Sequence, residues 1–302
     1  MISLKGFITR FLSDPVAIVA GTVLLFLVLM AIFAPFLAPQ NPYDLMQLDI
    51  MDSEMPPSWR VGGDERFPLG TDAQGRGVLS TIMYGTGISL LIGVGAVIVQ
   101  GVLGVTLGLV AGYRGGWIDA FLMRLADIQM SLSTLMIAII VLALFQAAFD
   151  ANTYADYAIF MLIVIIGVAE WPKFARTVRS SVLGEKNKEY VDAARVIGLP
   201  PRRIMWKHIL PNTLTPVLVI STIQVAEAIM TEAALSFLGL GMPTDRPSLG
   251  SLIRSGFEFI FSGSWWITLY PAIVLVMLIL ALNLLGDWLR DVLNPKLRRG
   301  DD

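Results

Sequence analysis

Six long apolar runs, separated by polar, basic or proline-rich stretches, dominate the pattern of this chain. We place them at about 15–38, 87–111, 128–148, 157–171, 213–235 and 265–285. Most of them approach the roughly 20 apolar residues that a helix needs to cross the hydrocarbon core of a bilayer. The fourth run is short and continues into a basic stretch. The pattern predicts an all-α membrane protein with six transmembrane helices.

The composition supports a membrane location and excludes several kinds of site. The chain has 302 residues, of which 55% are hydrophobic and 15% charged, and its mean hydropathy is +0.70. A soluble fold cannot bury that much apolar surface. Without cysteine, and with His208 as its single histidine, the chain has no disulfide framework and no multi-histidine metal site. The first run lacks a clear cleavage site, so we expect a retained helix rather than a signal peptide.

The basic residues predict the orientation and the division of the chain. With the N-terminus inside, 17 of the 22 Lys and Arg residues fall on the cytoplasmic side, so both termini are predicted to be cytoplasmic. The predicted regions are an amphipathic lead with the first helix (1–38), an external loop (39–86), a core of five spans (87–290) and a cytoplasmic tail (291–302). Within the core, the basic cytoplasmic loop covers 172–212.

This basic loop is predicted to form two short helices joined at a sharp corner. Asn187 is suited to cap the first helix, and Gly198 is suited to the left-handed residue that closes it. Pro200 and Pro201 favour the start of a second helix, which Pro211 is expected to end. The first helix has a small apolar face, suited to a partner's groove, at Val191, Ala194 and Ile197.

The same loop resembles a known motif. Asp192-Ala193-Ala194, then Gly198 and Leu210-Pro211, is similar to the EAA loop of bacterial ABC-importer permeases, with Asp192 where the motif has Glu. Stretches of the external loop, such as Leu69-Gly-Thr-Asp72, and the tail resemble the C-type permease of the dipeptide/oligopeptide/nickel branch. The resemblance implies the type I ABC importer permease architecture in the bacterial inner membrane. The residues it implies for ATPase coupling are Tyr190, Asp192, Ala193, Ala194, Arg195, Gly198, Arg202 and Pro211.

The resemblance also implies the partners and the source of energy. A second, B-type permease, two ABC ATPase subunits and a periplasmic solute-binding protein would complete an importer of di- or oligopeptides working by alternating access. This chain has no Gly-x-x-x-x-Gly-Lys-Ser/Thr loop. We therefore expect no cofactor and no catalysis in this chain, with ATP and Mg²⁺ bound by the ATPases, and no nucleic acid as a partner.

Polar residues inside the fifth span suggest a translocation path. Ser221, Gln224, Glu227 and Thr231 fall on one helical stripe, and polar groups in lipid are costly. We expect the stripe to line the path, with Glu227 attracting cationic or amino-terminal groups of a substrate. The alternative is a contact between helices, with Glu227 protonated or paired. Glu232, nearer the outer end, is expected to be solvated or to cap the next turn.

Two further questions stay open at this point. Gly104, Gly108 and Gly112 allow close helix packing, which we expect to lie within this chain rather than against a second permease. The substrate is the other question: a nickel chelate or another small solute is an alternative to peptides, and a passive channel or scaffold is an alternative to an importer. A channel is expected to carry a repeated pore motif, and the sequence has none.

Overall fold

The computed structural model describes residues 4–44, 46 and 48–293, and this part of the chain contains helices but no β-strand. The α-helices in chain order are α1 (Leu4–Ser13), α2 (Pro15–Ile32), α3 (Ala34–Leu37), α4 (Val78–Arg114), α5 (Gly116–Ser131), α6 (Thr134–Ala148), α7 (Ala151–Glu185), α8 (Glu189–Val196), α9 (Pro201–Arg203), α10 (Leu210–Phe237), α11 (Leu249–Phe257) and α12 (Trp266–Leu293). A π-helical segment, Ile204–Ile209, joins α9 to α10.

The predicted spans are largely confirmed. Helices α2, α4, α7 and α12, and the continuous stretch Pro201–Phe237, are long and apolar enough to cross a membrane. Helices α4 and α7 have 37 and 35 residues, so both extend well beyond their apolar runs. Residues 172–185 of the predicted basic loop are therefore part of helix α7 and not of a loop. The predicted tail lies mostly outside the described residues, which end at Leu293 within α12.

The third predicted span is wrong as a continuous helix. Helices α5 and α6 meet at an 80° bend, and the described residues contain six candidate crossings only if this bent pair counts as one span. The break lies at Leu132 and Ser133, both with extended backbone. The hydroxyl of Ser131 donates to the carbonyl oxygen of Ile128 at 2.7 Å. Hydroxyl side chains compete in this way for helix carbonyls, and three of them lie within four residues here.

The amphipathic lead is attached to the last helix. The rings of Phe7 and Phe11 on α1 meet Trp288 of α12 edge-to-face, with centroids 5.0 and 5.2 Å away. Asp14 then caps α2, because its Oδ1 accepts the backbone N–H of Val16 at 2.9 Å. These contacts bring both ends of the described chain to one side of the bundle.

Helices α4 and α7 form the tightest pair through the glycine stripe of α4. A Cβ atom on Gly104 would lie 2.6 Å from the carbonyl oxygen of Trp171, and one on Gly108 would lie 2.9 Å from Cα of Ala175. Gly112 meets α7 one turn further on. Only glycine permits this approach of two backbones. The expected role in packing within this chain is confirmed.

The side of the bundle that the sequence predicts to be external, called the outer side from here on, is held by buried polar groups. The side chains of Asp72 and Arg76 pair at 2.7 Å while only 4% of each is exposed, and Nη1 of Arg76 donates to the carbonyl oxygen of Thr244 at 2.8 Å. Nε1 of Trp266 donates to the carbonyl oxygen of Thr71 at 3.1 Å. The external loop is thereby fixed to the segments on either side of α11.

Glu232 is the centre of a second buried polar cluster. Its carboxylate accepts the hydroxyls of Ser89 on α4 at 2.9 Å and Ser236 at 2.6 Å, and the residue is fully buried. The hydroxyl of Ser236 also accepts the backbone N–H of Met242 at 3.0 Å. The expectation that Glu232 is solvated is wrong, because the chain folds back over the outer end of α10 and covers it.

Candidate functional site

The basic loop forms the predicted corner, which we call the elbow (residues 189–203). Helix α8 ends at Val196, and it is closed by Gly198, whose φ of +83° lies in the left-handed region. The N–H groups of Gly198 and Leu199 donate to the carbonyl oxygens of Arg195 at 2.9 Å and Ala194 at 3.1 Å. This pair of bonds is the Schellman closure that glycine favours. The predicted left-handed role of Gly198 is confirmed.

The start and the end of the elbow differ from the predictions. Asn187 does not cap α8, because the turn that closes α7 runs through Lys188, whose N–H donates to the carbonyl oxygen of Glu185 at 3.1 Å. Helix α8 therefore begins one residue later, at Glu189. Pro211 does not end a helix but lies in the first turn of α10, where a missing N–H is tolerated.

The predicted apolar docking face of α8 is wrong for two of its three residues. Val191 and Ala194 are buried in this chain's own core, in a cluster that includes Phe174, Val182 and Ile209. Only the third, Ile197, is exposed, at 76%, together with its neighbour Val196 at 88%. Sequence periodicity identifies an apolar face, but it does not say which chain covers that face.

Tyr190 is a brace within the chain. Its hydroxyl donates to the carboxylate of Glu185 at 2.8 Å and accepts Nδ2 of Asn212 at 3.2 Å. Partial burial and the bond to Glu185 raise the pKa of the Tyr190 hydroxyl. The contacts tie the inner end of α7 to the start of α10, and the sequence analysis gave Asn212 no such role.

The remaining predicted coupling residues face outward. Exposed positions are Asp192, Ala193, Arg195, Gly198, Arg202 and Pro211. Arg195 donates to Asp192 at 2.8 Å. We call the exposed surface of Asp192, Ala193, Arg195, Val196 and Ile197 the elbow tip. It presents two exposed aliphatic side chains beside one ion pair. Tyr190 and Ala194 lie on the opposite, buried side of α8 and hold the tip against the bundle.

The polar stripe on α10 does not face one environment. Gln224 is buried, and its Nε2 donates to Oε1 of Gln100 on α4 at 3.2 Å. The hydroxyls of Ser221 and Thr231 donate to carbonyl oxygens of their own helix, one turn earlier, at 2.7 and 2.9 Å. Gln224 therefore joins α10 to α4 rather than lining an open path.

Glu227 forms an ion pair across the helices. Its carboxylate contacts Nζ of Lys173 on α7, which also pairs with Glu170 at 2.9 Å. Glu170 in turn accepts the hydroxyl of Thr134 at the start of α6. We call Glu170, Lys173 and Glu227 the charged triad. The sequence analysis missed Glu170 and Lys173, although their spacing of three residues on one helix face was a usable signal.

Comparison with protein-family models decides the classification. Residues 104–299 match the model described as "Binding-protein-dependent transport system inner membrane component", and residues 4–57 match the N-terminal transmembrane domain of oligopeptide transport permease C. The chain belongs to this permease family. The first match includes the elbow and the charged triad.

Similar proteins cover nearly the whole permease. The di/tripeptide transport system permease protein of Pseudomonas aeruginosa is 35% identical over 98% of this chain and 93% of its own length. The dipeptide transport system permease protein of Escherichia coli K12 is 36% identical over 99% and 95%. An oligopeptide transport system permease protein of Bacillus subtilis is 35% identical over 98% and 90%.

One solved structure supports the fold. The permease matches a chain of an inward-facing MetNI methionine ABC transporter with a TM-score of 0.55 and 18% identity, over 71% of this chain and 96% of the other. This match confirms the type I importer permease fold, and the family membership confirms the multi-pass inner-membrane location. Family membership favours a transport subunit over a passive channel or scaffold. The cytoplasmic location of the termini stays a prediction.

Proposed function

We propose that this permease imports di- or oligopeptides by alternating access, together with a B-type permease, two ABC ATPase subunits and a periplasmic solute-binding protein. The names of its relatives favour peptides over a nickel chelate. ATP and Mg²⁺ bind to the ATPases in this proposal. The permease contributes a docking surface and the wall of a pathway.

The observation that carries the proposal is the elbow tip. Val196 and Ile197 are 88% and 76% exposed at a corner that points away from the bundle. Two adjacent aliphatic side chains left bare at such a corner favour a partner surface with a matching groove. The ion pair of Asp192 and Arg195 beside them would orient the partner. This is the place where an ATPase subunit is expected to dock.

Rigid support makes the tip able to transmit force. The buried face of α8, through Val191 and Ala194, lies in one cluster with Leu109 of α4, Phe174 of α7 and Val217 of α10. Close-packed side chains resist compression. A displacement of the tip is therefore passed to three membrane helices at once.

The experiment compares two valines that are equally bare. Val196→Asp adds a charge at the elbow tip, and Val61→Asp makes the same change at a fully exposed position of the external loop. Because apolar contacts at the centre of an interface carry much of its binding energy, we expect Val196→Asp to weaken ATPase binding by about 30-fold. Co-purification of the ATPase subunits and ATPase stimulation by peptide-loaded binding protein measure the effect.

Val61→Asp is the control, and it should leave co-purification of the ATPases unchanged. Normal co-purification and normal peptide uptake in the Val196→Asp importer would rule out the elbow tip as the docking site.

A further inference from the structure

We propose that the charged triad is a site for the protonated amino group of the transported peptide. The inference rests on the proposed function, because it names how the imported solute would be recognised inside the membrane. The three residues come from two helices, with Glu170 and Lys173 on α7 and Glu227 on α10.

The triad lies beside the middle of the fifth predicted span, residues 213–235, because Glu227 belongs to that span and Lys173 contacts it. Glu227 is about 25 Å along α10 from Leu210 and about 15 Å from Phe237, at a rise of ~1.5 Å per residue. At this depth 42% of the Glu227 side chain and 32% of the Lys173 side chain are exposed. Charged groups facing acyl chains are costly. This face of the bundle must therefore meet water or protein rather than lipid.

The charges of the triad do not balance. Lys173 supplies one ammonium to two carboxylates, Glu170 at 2.9 Å and Glu227. The hydroxyl of Thr134 occupies Oε1 of Glu170. Among the described residues, no hydrogen-bond donor reaches Oε1 of Glu227. The triad thus has one open acceptor and one unmatched negative charge at the exposed carboxylate.

Neighbouring ion pairs show that this imbalance is local. The next two basic residues on the same face of α7 are each matched one-to-one with a carboxylate of α5. Arg179 pairs with Asp119, with Nη2 and Oδ2 2.6 Å apart, and Arg176 pairs with Asp127. Neither arginine is available to complete the triad. The missing cation has to come from outside the described chain.

The amino terminus of a peptide matches the exposed carboxylate of Glu227 in charge. An α-ammonium group is a compact cation with three donors, and it can approach the exposed Oε1 of Glu227 directly. Lys173 has a long, flexible side chain, so it can lean toward Glu170 when a second ammonium arrives. The site then holds two cations and two carboxylates. The chemical class it selects is a peptide with a free, protonated amino terminus.

Accessibility gives the first test, and the permease suits it because the chain contains no cysteine. In the assembled importer, Glu227→Cys should react with a positively charged methanethiosulfonate reagent, as a water-lined pathway requires. Val276→Cys on α12, a bare aliphatic position within the membrane, should not react. An unreactive Glu227→Cys would mean that lipid or the second permease covers the site, which would overturn the proposal.

Charge removal gives the second test. Glu227→Gln should lower peptide uptake at least about tenfold, because one charge-assisted hydrogen bond to the ammonium is lost. The neutral double variant Lys173→Met with Glu227→Met should remain equally low. The matched control removes a one-to-one pair, Arg176→Met with Asp127→Met, and it should retain uptake. Assembly and ATPase activity should be kept in all of these variants.

The outcomes separate this inference from the proposed function. Uptake restored in the Lys173→Met and Glu227→Met double variant would show that the pair only joins two helices, and this would overturn the inference while leaving peptide import intact. If the native importer moves no peptide at all, the proposed function fails first.

Discussion

The elbow and the outer side both hold short segments against the long helices of the bundle, but by opposite means. At the elbow, the apolar side chains of Val191 and Ala194 are buried, and charges stay on the surface. At the outer side, Asp72, Arg76 and Glu232 are buried instead. Apolar packing stabilises without requiring a particular orientation of the side chains. A buried ion pair, in contrast, stabilises only when its two groups keep one geometry. We therefore expect the elbow to move as a rigid unit under force, and the outer side to keep one fixed geometry.

The largest expected effect comes from breaking the outer ion pair. Arg76→Met leaves Asp72 as an uncompensated buried charge, which we expect to cost about 3–5 kcal/mol of folding stability. The thermal midpoint of the purified permease in detergent measures the loss. The double variant Arg76→Met with Asp72→Leu is the control, and it should recover much of the stability because no charge is left buried. Equal loss in both variants would contradict the role given to the pair.

A smaller effect is expected at the elbow corner. An alanine at Gly198 or at Gly184 would have open space around its Cβ, so the two sites differ mainly in backbone conformation. Gly198→Ala places a side chain at a φ of +83°, at a cost of about 1–2 kcal/mol. Gly184→Ala lies within α7 and should be neutral or stabilising by roughly 0.5–1 kcal/mol.

The coupling of ATP hydrolysis to peptide uptake gives a second comparison of the two glycines. Strain at Gly198 is relieved by moving the elbow tip, so Gly198→Ala should also reduce peptide uptake and binding-protein-stimulated ATPase activity. Gly184→Ala should leave both unchanged. Normal coupling in the Gly198→Ala importer would count heavily against a rigid corner as the input for force.

The smallest effect is expected for an exposed ion-pair network on the outer loop. Arg66 contacts Asp64 at 2.9 Å and Asp52 at 3.0 Å, and its backbone N–H and side chain lower the pKa of the Asp64 carboxyl. Exposed ion pairs are screened by water and salt. Arg66→Gln should therefore leave the thermal midpoint unchanged. A marked fall would show that the outer side also depends on its surface charges, and the contrast with the buried pair would weaken.

The sequence predicted the features that depend on local physics. Hydropathy found the spans, because lipid demands long apolar helices. Gly198 stood out because two prolines follow it after Leu199 and a glycine suits the left-handed closure. The break before Thr134 was missed because a run of apolar residues hides a pair of serines that compete for carbonyls.

The features that depend on tertiary partners were harder to predict. Nothing in the pattern of α8 distinguishes burial in its own chain from burial in a partner, so Val191 was assigned to the wrong surface. Lys173 is the first residue of a basic stretch. The sequence analysis used it only in the count of Lys and Arg residues that predicts the orientation in the membrane. Gln224 was placed on the pathway because helical spacing does not reveal Gln100 on the neighbouring helix.

The π-helical segment Ile204–Ile209 runs without a break into α10, so the stretch from Pro201 to Phe237 is one continuous piece. The helical lever that carries Glu227 therefore begins within the elbow, at Pro201, directly after the turn that follows the elbow tip. A tilt applied at its inner end swings Glu227 relative to Lys173, which belongs to a different helix. In such an importer the affinity of the charged triad for a peptide would change together with the nucleotide state of the ATPases, because the helix that carries Glu227 begins within the elbow.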